Sequence, residues 1–127
     1  MKLKATKKYL LIEEDQSTIK TLQNALFEFK NWNCIGVTNS LEMANSIVMK
    51  EYPDVIFIQV DNLFKDLEQV VSILRYNCKQ EIKFVGISTV EEIAYELIRM
   101  NFNNLLISPL KRIEIKKLML RFERNVT

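Results

Sequence analysis

Four polar clusters sit at or just after dense apolar runs, and their residue types define the chemistry open to this chain. They are Glu13-Glu14-Asp15, Gln59, Ser88-Thr89 and Ser108-Pro109. Carboxylates supply the oxygen ligands that a hard divalent cation requires, and hydroxyls supply donors for an anion. Gln59 has neither capacity: a neutral carboxamide is a poor nucleophile toward phosphorus and a poor metal ligand. No histidine occurs in the sequence. That removes nucleophile–histidine triads, histidine phosphotransfer and the commonest general base. Cys34 and Cys78 lack metal-ligand spacing, and two buried, reduced thiols are expected.

The elements that must position these clusters alternate in period. Residues 8–12, 34–38, 55–60, 82–87 and 104–107 are short apolar runs and read as strands. Between them lie helical stripes. Ile19, Leu22, Ala25, Leu26 and Phe29 share one face over residues 17–30. Ser40 caps a helix that buries Leu41, Ala44, Ile47 and Val48 and stops at Tyr52-Pro53. Residues 66–77 turn Leu67, Val70, Val71 and Leu74 inward. Thr89 and Glu92 are spaced as a capping box for a helix carrying Ile93, Leu97 and Met100. Ile115, Leu118, Met119 and Phe122 mark a fifth helix. Five strands alternating with five helices imply an α/β parallel sheet covered on both faces, since parallel neighbours need crossover connections. In such sheets ligands bind beyond the carboxyl ends of the strands, where the polar clusters fall.

Composition is that of a soluble globular domain, with 48% apolar and 27% charged residues in 127. Two glycines and two prolines leave little room for a flexible linker. One domain over residues 1–127 is expected, with a core at about 7–124 and a basic tail at 1–6. The tail lacks the apolar stretch of a signal peptide, and no run approaches the ~20 residues of a membrane span. A cytoplasmic protein without membrane association is expected. The net charge of +2 does not itself imply nucleic acid, and the basic residues near both ends read as solvated surface.

Read in order, the four clusters, the Tyr-Pro-Asp-Val-Ile-Phe-Ile run before position 59 and Ile107-Ser108-Pro109 resemble the receiver domain of two-component response regulators. The resemblance covers about residues 7–124. It implies a flavodoxin-like (βα)5 doubly wound sheet in the order 2-1-3-4-5. It also implies a site built from an acidic pair, a phosphorylatable aspartate, a hydroxyl, a lysine and a switch aromatic. The matching positions here are Glu13 and Glu14, Gln59, Ser88, Ser108 and Leu105. Only Ser88 and the acidic charge are kept. Nucleophile, lysine and aromatic are all replaced, a coherent loss for groups that act together.

The resemblance therefore implies a degenerate, non-enzymatic receiver acting through protein contacts in a phosphorelay. Residual, weak magnesium binding would fall to Glu13, Glu14 and Asp61, with no other cofactor. The interaction face implied is residues 90–124, with Tyr95 and Phe102 as aromatic anchors beside Arg99, Lys111, Arg112 and Lys116; it is also the implied route to a homodimer. An alternative is the receiver portion of a longer regulator whose DNA-binding output domain lies beyond residue 127, the only route to nucleic acid. A flavodoxin-like enzyme would need a phosphate-cradling turn, and neither Gly36 nor Gly86 lies in one.

Overall fold

The computed structural model describes residues 6–124; the basic N-terminal segment expected at 1–6 lies, apart from Thr6, outside them. The elements are β1 (Lys7–Ile12), α1 (Gln16–Leu26), β2 (Trp32–Thr38), α2 (Leu41–Glu51), β3 (Val55–Gln59), α3 (Leu67–Tyr76), β4 (Lys83–Ser88), α4 (Ala94–Arg99), β5 (Asn104–Ile107) and α5 (Arg112–Arg124), with a 3-10 turn at Glu91–Ile93 leading into α4. All five strands are parallel in the order β2-β1-β3-β4-β5, as expected.

Side chains alternate between the two faces of the sheet, so the central strands feed two cores. Tyr9, Leu11, Phe57, Val85 and Ile87 pack under α1 and α5. Leu10, Ile12, Ile56, Ile58 and Phe84 pack under α2, α3 and α4. Tyr9 and Phe57 meet edge to face at 5.7 Å. Burial on both faces explains why these strands read as continuous apolar runs. Gly86 sits at a close approach: a Cβ there would stand 2.7 Å from Leu97 Cδ1, so the side chain that seats α4 would have to shift.

Helix starts follow local chemistry. Asp15, Ser40 and Asp66 cap α1, α2 and α3 by accepting from Thr18, Met43 and Gln69 backbone N–H groups. Tyr52 ends α2 in the left-handed region at φ 53°, and the Ser108–Pro109 peptide is cis.

Three local expectations fail. The first helix stops at Leu26 instead of 30, because Trp32 is buried, joins β2 opposite Lys7 and packs on Phe122 at 6.3 Å. No Thr89–Glu92 capping box forms: the residue before the 3-10 turn is Val90, without a side-chain cap, and Thr89 is engaged elsewhere. Cys34 is exposed and Cys78 half-buried, both free. Cys34 lies on β2, an edge strand with only one neighbour.

Candidate functional site

Parallel strands ending together place the four polar clusters around one shallow cleft of about 270 Å³. Glu13 and Asp15 reach it from the β1–α1 turn, Gln59 and Asp61 from the end of β3, Ser88 and Thr89 from β4, and Ser108 from β5. Glu14 is exposed and does not line the cleft.

Most polar side chains in the cleft are already hydrogen-bonded within the chain. Glu13 is 4% exposed, and its Oε2 accepts from the backbone N–H groups of Glu14 and Asp15 at 2.8 and 3.1 Å. Gln59 Oε1 accepts three backbone N–H groups, from Asp61 at 2.8 Å, Asn62 at 3.1 Å and Leu63 at 3.2 Å. Its Nε2 donates to Asn62 Oδ1 at 3.0 Å. The amide thus organises the loop that follows its own strand. Asp15 caps α1 at the rim of the cleft, accepting from Thr18 N and Oγ1, and these bonds hold its carboxyl below the ordinary value.

Asp61 is half-buried, and its carboxylate bonds across the cleft instead of capping its own loop. Its Oδ2 accepts from Thr89 N at 2.8 Å and Thr89 Oγ1 at 2.9 Å, and its Oδ1 accepts from Ser88 Oγ. Burial alone would raise the Asp61 pKa, but the bonds from Ser88 and Thr89 outweigh it and hold the carboxyl below its ordinary value. The Thr89–Glu92 spacing points to a helix cap, and the contact with Asp61 takes its place. The signal was two adjacent hydroxyl residues, either of which can bond an acid as readily as a backbone group.

The remaining positions separate. Ser108 lines the cleft, and its backbone N–H donates to Ser88 O at 2.7 Å. Leu105 is half-buried against the α2, α3 and α4 core. Tyr95 is 70% exposed, and Arg99 and Lys111 are exposed. Phe102 is not an exposed anchor: it is half-buried and packs on Phe84 with ring centroids 5.5 Å apart. Arg112 and Lys116 turn toward the end of α1, where both pair with Glu28, Lys116 at 3.2 Å. A groove of about 770 Å³ runs between β5 and α5, and its basic residues are Lys111, Lys117, Arg121 and Arg124.

No protein-family model matches the sequence, and comparison with curated proteins finds no match. Solved structures do match. The receiver domain of AraT, a response regulator from Geobacillus stearothermophilus, is 14% identical with TM-score 0.80, covering 95% of each chain. The isolated receiver domain of RcsB from Salmonella enterica serovar Typhimurium is 6% identical with TM-score 0.78, over 94% of this chain and 90% of that one. The receiver domain of the sensor histidine kinase PA1611 from Pseudomonas aeruginosa is 14% identical with TM-score 0.73, over 92% and 97%. This chain has the receiver-domain fold.

The PA1611 receiver holds magnesium in its active-site cleft. The corresponding cleft here does not fit the ion. Among the described residues no three acidic side chains converge to hold a metal. Glu13 is bonded to backbone, Glu14 lies outside, and Asp61 is committed to Ser88 and Thr89. The expected set of Glu13, Glu14 and Asp61 is therefore not assembled. The receiver fold is kept, while at its cleft Glu13 and Gln59 are bonded to backbone and Asp61 to Ser88 and Thr89. Among the described residues no helix is long and apolar enough to cross a membrane.

Proposed function

We propose that this chain is a non-catalytic receiver-like module of a two-component or phosphorelay system, acting by protein contact without aspartyl phosphorylation at position 59. The observation that carries this reading is Gln59: at the end of β3 its carboxamide oxygen accepts three backbone N–H groups. Three further features support it. None of the cleft-lining residues is basic, so developing negative charge on a phosphoryl group meets no offsetting cation. Ser108 stands where a lysine would be, and Leu105 packs as an aliphatic core residue.

The proposed contact surface is residues 90–124, with exposed Tyr95, Ile98 and Arg99 on α4 and Lys111, Lys117 and Arg121 beside β5. Binding there draws on exposed aromatic and aliphatic side chains within a rim of charge. A partner protein or a second copy of the chain is the occupant.

Incubation with a small phosphodonor and magnesium, followed by intact-mass measurement, tests the reading. The expected result is no phosphoryl adduct on the wild-type chain; a stoichiometric adduct overturns the proposal. Gln59→Asp alone is expected to remain a poor acceptor. Gln59→Asp with Ser108→Lys gains more than the two single changes together, because nucleophile and cation act as one unit.

A further inference from the structure

Three donors from two adjacent residues converge on one carboxylate where β4 ends. Thr89 supplies its backbone N–H at 2.8 Å and its hydroxyl at 2.9 Å, and Ser88 supplies its hydroxyl. Ser88 is 1% exposed and its hydroxyl carries one proton. Two acceptors compete for that proton, the Asp61 carboxylate and Val90 O at 2.9 Å. The ionised oxygen is the stronger acceptor, and the Val90 N–H donates to Ser88 Oγ at 3.0 Å. The result is a preformed concavity of donors matched to a small oxyanion, seated by a residue from a different strand connection, with 27 and 28 residues separating the partners.

We propose that the Ser88–Thr89 turn is an oxyanion-binding site whose resident ligand is the chain's own Asp61 carboxylate. This intramolecular latch clamps the β3–α3 loop to the β4–α4 connection. Gln59 is its positioning residue: by accepting the Asp61 backbone N–H at 2.8 Å, it fixes the loop from which the carboxylate reaches across. Neither the 3-10 turn Glu91–Ile93 nor α4 has a side-chain cap. Ser88 is held to β5 by the Ser108 N–H and bridges to Val90 through its hydroxyl, so the bonds from Asp61 are what tie Thr89 to the β3–α3 loop. An anion is thus held in the cleft at all times without any external donor. The exposed α4 residues Tyr95 and Ile98 are accordingly displayed from one fixed start point. The proposal stands on these hydrogen bonds and does not depend on whether position 59 accepts a phosphoryl group.

Amide hydrogen exchange on the intact chain tests it. Asp61→Ala is expected to speed exchange of the Thr89 and Val90 amides by about ten-fold or more, as loss of a charge-assisted bond requires. Sodium acetate supplies a free carboxylate: it is expected to restore protection in Asp61→Ala and to leave the wild type unchanged, with sodium chloride at equal ionic strength as the control. Equal Thr89 protection in wild type and Asp61→Ala overturns the latch. So does acetate protecting the wild type as much as the variant, because the site would then have been empty. Asp61→Asn, which keeps the shape and one acceptor oxygen, covers the case in which the alanine variant does not fold. Its Thr89 exchange is expected between the other two, and a rate equal to wild type also overturns the proposal.

Discussion

The cleft at the carboxyl end of the sheet and the groove between β5 and α5 are both lined by polar side chains, yet they differ in where those side chains bond. In the cleft Glu13, Gln59, Asp61 and Ser88 are all engaged within the chain. In the groove Lys111, Lys117, Arg121 and Arg124 form no ion pair among the described residues, whereas nearby Arg112 and Lys116 share Glu28. A group already hydrogen-bonded offers little to a newcomer, because binding must first break what exists. A surface with unpaired charge and exposed apolar neighbours still has its interactions to make. The difference supports placing the proposed contact surface on the α5 side, with the bonds at the carboxyl end of the sheet serving structure.

The contrast breaks first if α4 loses its seat on the sheet. Phe84 is fully buried beneath Phe102, and Arg75 stacks over its ring at 4.8 Å while donating to Met100 O and Asn101 O. Phe84→Ala is expected to cost about 3–5 kcal/mol in urea unfolding and to loosen α4 and β5 together. Gln59→Leu is a smaller lesion confined to the cleft. It leaves three loop N–H groups without their acceptor, and a loss of about 1–2 kcal/mol is expected where water replaces it only in part.

Acid sharpens the same contrast. Asp61 and Asp15 both titrate below the ordinary aspartate value in the folded chain. Their contribution is therefore present above the unfolded-state pKa of about 3.9 and is lost as pH falls through the lower folded value. Asp61→Asn is expected to lower stability at neutral pH and to flatten the acid limb, with Asp15 still contributing a residual slope. Thermal melts from pH 7 downward read both effects; an unchanged acid limb would mean that Asp61 makes no net contribution. At the groove the stability effect is least: Lys117→Glu with Arg121→Glu should shift unfolding by no more than about 0.5 kcal/mol. The same pair should abolish binding of a protein partner at the proposed 90–124 surface, as read by sedimentation or titration.

Much of this molecule is written in its one-dimensional pattern. Period-two and period-3.6 burial are local consequences of backbone geometry, so five strands, five helices and a sheet covered on both faces follow from the order of apolar residues. Ser40 as a cap and Tyr52-Pro53 as a stop are equally local, and both stand in the structure. The four polar clusters also meet at one edge, because parallel strands must end on the same side.

The choice of partner for each side chain was not legible, since it depends on residues far apart in sequence. Whether Thr89 caps a helix or binds Asp61 turns on a loop 28 residues earlier. Phe102 is half-buried because its ring packs on Phe84, and Arg112 and Lys116 find Glu28 as a partner just past the end of α1. Residue order alone determined the architecture and the amide at position 59. Tertiary packing alone decided that Asp61 closes the cleft, because a hydrogen bond needs two groups brought within about 3 Å, and only the folded sheet brings β3 and β4 that close.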